Sequence, residues 1–365
     1  MKVIQILPEL NSGGVERGTL ELGKYLVQQG HDSVIISNGG RMVEQLEKEG
    51  SRHITLPVHR KSPSSLLKVR ALRKLLALEK PDILHLRSRL PAWIAWLAWR
   101  KMDAQARPRL LTTVHGFNSV NAYSQIMTRG EVIICVSESV KDYVTTNYSS
   151  VPEGKCVVIH RGVDPGQYVY GAQPDQNWLD QWHHDFAETK GKRLLTLPGR
   201  ITRLKGHSDF LQILAKLPES YHGLIAGGAH AKKAEYLEQI KAEVASLGIE
   251  QKITFTGHRN DLMQILSISD IVFSLTQQPE SFGRTTLEAL CLGKPVIGYD
   301  HGGVGEILDE LFPEGKISLG NLSGIQERIT NWETQRPIPR RNNPFTLDSM
   351  LSKTVKLYES LSLKR

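Results

Sequence analysis

Cysteine is scarce, at 3 of 365 residues, and Cys135, Cys156 and Cys291 stand singly in apolar segments without the spacing of metal ligands. This pattern argues against a disulfide framework and favours a reducing compartment. Long apolar runs are also lacking, since none reaches the ~18 residues that a membrane span needs. Residues 1–8 have no small-residue cleavage site and are too short for a signal peptide, so we expect a first strand there.

Acidic side chains are nearly missing from residues 59–109, which hold 13 basic and 3 acidic residues. The whole chain has a net charge of +8, whereas residues 166–365 hold 23 residues of each sign. This stretch therefore carries the imbalance, and such a patch attracts an anionic surface or polymer. A solvated basic face without a partner is the alternative. Nucleic-acid binding is disfavoured because the cations stand beside leucines and tryptophans and no nucleic-acid module is recognisable.

Strand-like and helix-like runs alternate through the chain, whose apolar content of 40% and charged content of 23% are ordinary for a globular protein. The alternation predicts an α/β fold with two Rossmann-like parallel-sheet domains, and ligands are expected at the carboxyl ends of the strands, in a cleft between the domains. The predicted segments are an N-terminal domain at 1–165, a linker at 166–190, a C-terminal domain at 191–343, and a helix at 344–365 that packs back on the first domain.

The clearest chemical signal is the segment Pro-Glu-Ser-Phe-Gly-Arg-Thr-Thr-Leu-Glu at 279–288. It follows an apolar run at 270–275 that predicts a buried strand, and its glycine opens a helix. Such a turn aims free backbone N–H groups at a ligand, which suits a phosphate. Glu280 and Glu288 can both face one ligand and accept hydrogen bonds from a polyhydroxylated group. The alternative is that Glu288 only pairs with Arg284 on an exposed face.

Cations follow two other predicted strands. Arg200 and Lys205 leave a strand end and run into a helix, where they are placed to bind a diphosphate. Solvated loop cations are the alternative. His258 and Arg259 lie at a later strand end, where a flat base can rest against the backbone.

Gly13 and Gly14 follow the first predicted strand, and backbone can approach a ligand closely at such a loop. A simple turn is as well supported, because the loop is not a complete G-x-G-x-x-G. The sequence contains no P-loop, H-E-x-x-H or G-x-S-x-G motif, nor a D-x-D metal motif. We therefore predict no metal site and no required cofactor, with Arg200 and Lys205 in the place of a divalent ion.

Taken together, these residues resemble the GT4-type family of retaining glycosyltransferases with the GT-B fold. The resemblance covers nearly the whole chain and is strongest over 193–310, where Glu280 and Glu288 match the family's E-x7-E motif. It implies that Arg200 and Lys205 hold the donor diphosphate, Glu280 the sugar hydroxyls and Glu288 the ribose hydroxyls. The donor-binding residues that it implies are Gly13, Gly14, Arg200, Lys205, His258, Arg259, Glu280, Ser281, Phe282, Gly283, Arg284 and Glu288.

The resemblance also implies the chemistry. His115, in Val-His-Gly at 114–116, matches the family histidine that faces the transferred sugar, although alone it reads as a strand-end histidine. In the family's retaining mechanism the acceptor hydroxyl attacks on the face that the leaving group vacates, and no protein nucleophile is needed. The implied catalytic residues are His115, Glu280, Arg200 and Lys205, and the implied donor is a nucleotide-diphosphate sugar, a UDP-sugar first of all. This chain has Arg161 where many relatives have asparagine.

The acceptor is suggested by two segments, 87–93 and 300–303, which resemble the bacterial subgroup that builds lipopolysaccharide cores and other surface glycans. That subgroup implies an α-linked hexose on a lipid-linked or lipopolysaccharide-core acceptor, made by a cytoplasmic enzyme peripheral to the inner membrane. The helical pattern at 64–78 mixes leucines with cations and predicts contact with an anionic membrane. Those cations are Lys68, Arg70, Arg73 and Lys74.

Other readings stay open from the sequence alone. The tryptophans at 93, 96 and 99 either seat a helix in the bilayer interface or pack as ordinary core. Sugar-nucleotide epimerases and sugar phosphorylases share the two-domain architecture. A basic nucleic-acid-binding or membrane-binding protein and a non-catalytic sugar-nucleotide sensor are the alternatives from other classes.

Overall fold

The computed structural model describes residues 1–11, 13–60, 65–229 and 234–363. The chain folds into two compact units: unit 1 is Met1–His160 with Asp348–Arg365, and unit 2 is Arg161–Leu347. The helix predicted at 64–78 begins at a residue outside the described ranges, as does a second helical pattern of the sequence, at 231–247. No described helix has both the length and the apolar character needed to cross a bilayer.

Unit 1 contains, among its described residues, a seven-stranded sheet in which every pairing is parallel. Its strands are β1 (Lys2–Ile6), β2 (Asp32–Ser37), β3 (Arg52–Thr55), β4 (Ile83–Leu86), β5 (Arg109–Val114), β6 (Val132–Cys135) and β7 (Cys156–Val158). The helices between them are α1 (Gly14–Gln28), α2 (Val43–Lys48), α3 (Ser65–Glu79), α4 (Arg89–Arg100) and α5 (Glu138–Asn147). The strand order is β3-β2-β1-β4-β5-β6-β7. It reverses between β1 and β4, and ligands of open α/β sheets bind at such a reversal.

Unit 2 repeats this plan with a parallel sheet of six strands within the described residues. Its strands are β8 (Arg193–Pro198), β9 (Tyr221–Ala226), β10 (Ile253–Phe255), β11 (Ile271–Ser274), β12 (Val296–Tyr299) and β13 (Lys316–Ile317). Its helices are α6 (Gln176–Asp185), α7 (His207–Ala215), α8 (Ala234–Leu247), α9 (Leu262–Ile268), α10 (Arg284–Cys291), α11 (Gly302–Leu311) and α12 (Leu322–Thr334). The order β10-β9-β8-β11-β12-β13 reverses between β8 and β11. The predicted α/β fold with two parallel, Rossmann-like sheets is confirmed.

Apolar, β-branched strands explain both sheets. The side chains of β1 after Lys2 are all buried, as are all four of β4. Strands buried on both faces need helices above and below, which is the arrangement of parallel sheets. The chain's last helix, α13 (Leu347–Ser362), packs on unit 1, where the hydroxyl of the fully buried Tyr358 lies 2.6 Å from Nδ1 of His85.

Helix α6 lies in the stretch 166–190, for which the sequence predicted a linker. The Asp175 side chain caps it by accepting a hydrogen bond from the backbone N–H of Trp178 at 2.8 Å. Trp182 is buried, with its ring stacked on Trp178 at 5.3 Å and tilted against Phe186 at 4.5 Å. Three aromatic rings anchor this helix in an otherwise polar segment, so the periodic pattern of apolar residues that predicts a helix is weak there.

The tryptophans of α4 are half-buried and bonded within unit 1. The indole N–H groups of Trp93 and Trp99 donate to the backbone carbonyls of Tyr123 and Pro108, at 2.9 and 2.8 Å. The Arg100 guanidinium lies over the Trp96 ring, 4.4 Å from its centroid. These contacts favour ordinary packing over a bilayer anchor for this helix.

Candidate functional site

The site in unit 2 begins where β8 and β11 end. The two strands pair in parallel, with Leu195 opposite Ile271, so their carboxyl ends meet at one edge of the sheet. Lys205 lies beyond β8 and Glu280 beyond β11, and the Lys205 ammonium group donates a hydrogen bond to a Glu280 carboxylate oxygen. Their side chains are 31% and 24% exposed. The structure thus brings together a cation and a carboxylate that lie 75 residues apart.

A glycine fixes the approach of Lys205 to this edge. Gly206 has φ 71°, a left-handed conformation, and an added Cβ would collide with the carbonyl oxygen of Leu275. Only glycine tolerates both conditions without strain. The turn can therefore lie directly against the end of β11, which carries the Lys205 side chain to Glu280.

Arg200 follows β8 by two residues and is exposed. None of the ion pairs found among the described residues involves its guanidinium. Its charge is therefore not neutralised locally, whereas Lys205 is paired. Arg200 and Lys205 both follow β8, and their cationic groups make this edge of unit 2 attractive to a diphosphate.

The turn that carries Glu280 is held on both sides. The Glu280 carbonyl accepts a hydrogen bond from the backbone N–H of Gly303 at 2.8 Å. The Phe282 ring is buried and meets the Phe345 ring edge-on, at 5.9 Å between centroids. Gly283 takes φ 86° and directly precedes helix α10. The half-buried Ser281 lies on the same turn. These contacts fix the Glu280 backbone before any ligand binds.

Glu288 lies within α10 and is buried, at 6% exposure. Its carboxylate accepts a hydrogen bond from Nε of Arg284 at 3.0 Å. The pair that the sequence offered as an alternative to ligand binding is therefore present, but its face is not exposed. A buried carboxylate is retained only with partners, because desolvation disfavours its charge. Arg284 supplies one partner and holds Glu288 in a fixed orientation.

His258 and Arg259 follow β10 and differ in their contacts. The Arg259 guanidinium binds both carboxylate oxygens of Asp261, at 2.8 and 2.6 Å. It also lies about 6 Å from the rings of Trp182 and Phe186. Arg259 is thus already engaged in packing against α6. His258 is exposed. Its backbone nitrogen would lie 3.6 Å from a Cβ atom added to Gly228, so the two backbones run close together.

Unit 1 has a cavity of about 290 Å³ at the reversal of its own sheet. It is lined by Pro8, Val15, Glu16, Arg87, Ser88, Arg89, Thr113, His115, Gly116, Asn118 and Met127. His115 directly follows β5 and is half-buried, as the sequence placed it. Gly13 precedes α1 with φ 138°, and an added Cβ there would meet the Glu16 carboxylate. Gly14 is exposed beside it.

Sequence reasoning did not assign Glu16, Arg87 or Arg89 to a site. Each follows a predicted strand, but charged residues after strands are common. The missing information was the strand order, which sets β1 beside β4 and so brings residues 16 and 87 to one cavity. Among the described residues, no group of three His, Cys, Asp or Glu side chains could hold a metal ion.

The basic residues of α3 lie at the surface of unit 1. Arg70 and Lys74 are exposed, and Lys68 and Arg73 are half-buried. The exposed leucines of the same helix are Leu67, at 71%, and Leu78, at 80%. A second cavity of unit 1, of about 470 Å³, lies beside this helix and is lined by Arg73, Lys74, Leu76, Ala77, Lys80, Pro81, Met102, Asp103, Gln105 and Ala106.

Comparisons with known proteins place this geometry in a family. Residues 12–167 match the family model described as Glycosyltransferase Family 4, and residues 180–343 match Glycosyl transferases group 1. N-acetyl-alpha-D-glucosaminyl L-malate synthase of Bacillus anthracis is 24% identical, over 98% of this chain and 95% of its own. The lipopolysaccharide core biosynthesis mannosyltransferase LpsB of Rhizobium meliloti is 25% identical, over 60% of this chain and 63% of its own.

Solved structures agree with the family models. A glycosyltransferase from Rickettsia africae superposes with a TM-score of 0.86 at 29% identity, covering 99% of this chain and 98% of that chain. Anabaena Alr3699/HepE, in complex with UDP and glucose, superposes with a TM-score of 0.80 at 16% identity, over 99% of this chain and 100% of that chain. The latter likeness shows the fold alone. The chain belongs to the GT4-type glycosyltransferases of the GT-B fold.

Proposed function

We propose that this protein is a retaining glycosyltransferase. It moves a hexose from a nucleotide-diphosphate sugar, a UDP-sugar first of all, to a lipid-linked or lipopolysaccharide-core acceptor with an α linkage. The observation that carries the proposal is the meeting of Lys205 and Glu280 at the carboxyl ends of β8 and β11, beside the exposed Arg200. The UDP-bound Anabaena structure and the lipopolysaccharide mannosyltransferase LpsB support the donor and the acceptor respectively.

The donor's leaving group requires cations. When the bond between the anomeric carbon and the phosphate oxygen breaks, negative charge grows on the diphosphate. Arg200 and Lys205 stabilise that charge as it forms, since both stand at the edge of the sheet where ligands bind. Glu280 then accepts hydrogen bonds from sugar hydroxyls and Glu288 from the ribose. Further donor contacts within unit 2 come from the glycine-containing turn 281–284 and from His258.

Transfer itself needs no protein nucleophile. The acceptor hydroxyl attacks the anomeric carbon on the face that the leaving group vacates, and the departing phosphate takes the hydroxyl proton. We propose that His115 orients the transferred sugar. This sequence of steps retains the anomeric configuration and yields the α linkage.

The acceptor side of the proposal involves the membrane. Exposed Leu67 and Leu78 share α3 with the exposed cations Arg70 and Lys74. Apolar side chains that enter the lipid interface beside cations that meet anionic headgroups give reversible peripheral binding. We infer a cytoplasmic enzyme on the inner face of the inner membrane.

Vesicle sedimentation tests the membrane contact. The protein is mixed with vesicles of phosphatidylcholine alone or with vesicles that also contain about 30% phosphatidylglycerol, which makes their surface anionic. Each Lys or Arg near such a surface contributes roughly 1 kcal/mol to binding. We expect sedimentation only with the anionic vesicles, and its loss in a variant with Arg70→Gln and Lys74→Gln. Lys241→Gln in unit 2, whose lysine pairs with Glu238, is the control. Equal sedimentation of both variants would remove this part of the proposal.

The catalytic part is tested by product analysis. UDP-, GDP- and ADP-sugars are incubated with the protein, with and without membrane lipid extracts, and the sugar products are followed by proton NMR. A transferase consumes the donor with formation of an α-glycosidic signal that depends on the extract. Conversion of the donor sugar to its epimer without any extract would instead establish the epimerase alternative.

A further inference from the structure

The cavity of unit 1 contains a buried guanidinium that forms no ion pair with any described residue. Arg87 directly follows β4 and is 4% exposed, so its guanidinium is buried. Nη1 of Arg87 donates to the side-chain oxygen of Gln5 at 3.0 Å, and Nε has no hydrogen-bond partner. Among the described residues no carboxylate lies within ion-pair distance of it. Burial lowers the pKa of Arg87, but a guanidinium remains charged in proteins.

Its orientation is fixed by neighbours. Gln5 is fully buried and donates its own amide N–H to the Thr19 carbonyl at 3.2 Å. The amide oxygen of Gln5 is therefore turned toward Arg87. A neutral amide orients the guanidinium without neutralising it. A buried cation without an ion-pair partner lowers the stability of the fold. A protein retains such a cation where a bound ligand supplies the negative charge.

The rest of the cavity is also positive. Arg89 lines the cavity. Its guanidinium lies 5.5 Å from the ring centroid of Tyr123 and donates a hydrogen bond to the Ser124 hydroxyl at 3.1 Å. Helix α4 begins there at Arg89, and the Ser88 side chain makes no capping hydrogen bond. The N-terminus of a 12-residue helix adds a partial positive charge. Glu16 is the only carboxylate among the lining residues, against two guanidinium groups.

We propose that this cavity binds an oxyanion, a phosphate or a carboxylate, that belongs to the acceptor, with Arg87 as its main ligand. The inference rests on the proposed function, because it assigns the donor diphosphate to Arg200 and Lys205 in unit 2. A volume of about 290 Å³ accommodates a small polar group rather than a lipid chain. The cavity also contains His115, so the oxyanion sits near the acceptor's reacting hydroxyl. Arg87 thereby selects acceptors that carry a negative charge close to that hydroxyl.

The first experiment measures anion binding by thermal unfolding. It uses the full chain with Lys205→Met, which removes a cation of the donor site. Inorganic phosphate and succinate are the probes, and sodium chloride at equal ionic strength is the control. We expect phosphate or succinate, whichever the acceptor group resembles, to raise the unfolding temperature of this variant at millimolar concentrations of the anion. Adding Arg87→Met should weaken that binding by about 10-fold to 100-fold, as for a buried charge partner.

Matched variants keep the test decisive. Arg52→Met removes an arginine of the same sheet that pairs with Glu79, and it should leave anion binding unchanged. Arg89→Gln affects a half-buried side chain and serves if Arg87→Met does not fold. We expect it to weaken binding by about 3-fold to 10-fold, the effect of one charge-assisted hydrogen bond. Anion binding that is unaffected by both Arg87→Met and Arg89→Gln overturns the proposal.

The second experiment separates this inference from the proposed function. Donor turnover without acceptor, measured as slow release of UDP from a UDP-sugar, needs only the donor site. Lys205→Met should lose it, whereas Arg87→Met should lower acceptor-dependent transfer far more than this acceptor-free turnover, since the Arg87 charge acts on the acceptor. Equal loss in a folded Arg87→Met would assign Arg87 to the donor and overturn the inference. Arg87-dependent phosphate binding without any donor turnover would support the anion site and refute the transferase.

Discussion

Replacing Lys205 by methionine tests the donor site most directly. Methionine keeps most of the side-chain volume and removes the charge. In the structure Lys205 is half-buried and paired with Glu280. If Lys205 stabilises the leaving diphosphate, its loss acts on the transition state. If the pair is only structural, its loss acts on stability.

The two expected magnitudes are far apart. A unit charge 4 Å from another contributes about 4 kcal/mol at the effective dielectric of a partly exposed site. Arg200 remains in the variant and water screens part of the effect, so we expect a loss of about 3 kcal/mol, or roughly 10²-fold in kcat. A half-exposed ion pair such as Lys205–Glu280 contributes about 1 kcal/mol or less to stability. Turnover should therefore fall much more than the free energy of unfolding.

The assay follows UDP release in the presence of acceptor, with urea unfolding in parallel. Arg336→Met is the control, because Arg336 pairs with Asp270 at the amino end of β11, at the opposite edge of the same sheet. It should cost stability of similar size and leave kcat unchanged. A Lys205→Met enzyme with wild-type kcat, or an equal loss in Arg336→Met, would refute the assignment of the donor diphosphate to Lys205.

Three further predictions concern unit 2. Glu280→Gln should lower kcat by about 10²-fold. The same change should tighten the binding of UDP alone, because Lys205 is no longer paired with a carboxylate. Isothermal calorimetry measures UDP binding, and weaker binding by the variant would contradict this prediction. Gly206→Ala should destabilise the fold by about 3 kcal/mol in urea unfolding, since the left-handed backbone and the collision with Leu275 add together, and wild-type stability would contradict the turn geometry. Burial lowers the pKa of His207 to about 4, so its neutral form stabilises the fold fully above pH 6.5 and this stability is lost as pH falls toward 4. Between pH 7 and 5 the wild type should lose about 2 kcal/mol that His207→Phe retains, and equal losses would contradict this account.

The sequence predicted much of the fold because apolar runs and glycine turns are local signals. The apolar pattern predicts a strand at 193–197 and a helix at 284–292, and the structure has them at Arg193–Pro198 and Arg284–Cys291. Three helices of unit 2, α6, α11 and α12, were not predicted, although α11 buries the regularly spaced Val304, Ile307, Leu308 and Leu311. The fold of α6 depends on stacked aromatic rings rather than on an aliphatic stripe.

The site was predictable only in part, for a related reason. Lys205 and Glu280 could each be placed after a strand, but their pairing depends on β8 lying beside β11. The buried pair of Glu288 with Arg284 required knowledge of which face of α10 is covered. Arg259 was predicted to bind the nucleotide, and its bidentate pairing with Asp261 two residues later gave no separate sequence signal. Non-local strand order and burial carry the missing information.

The two sheets place charge at the same topological position and differ in how it is balanced. At the reversal of unit 2, the cation after β8 meets a carboxylate after β11. At the reversal of unit 1, the cation after β4 donates to the neutral Gln5 of β1 and forms no ion pair with a described residue. A ligand phosphate must displace Glu280 from Lys205, whereas at Arg87 it has no ion pair to break. Anion affinity in unit 1 should therefore depend little on Glu280, and the Glu280→Gln variant should leave the Arg87-dependent binding of phosphate unchanged.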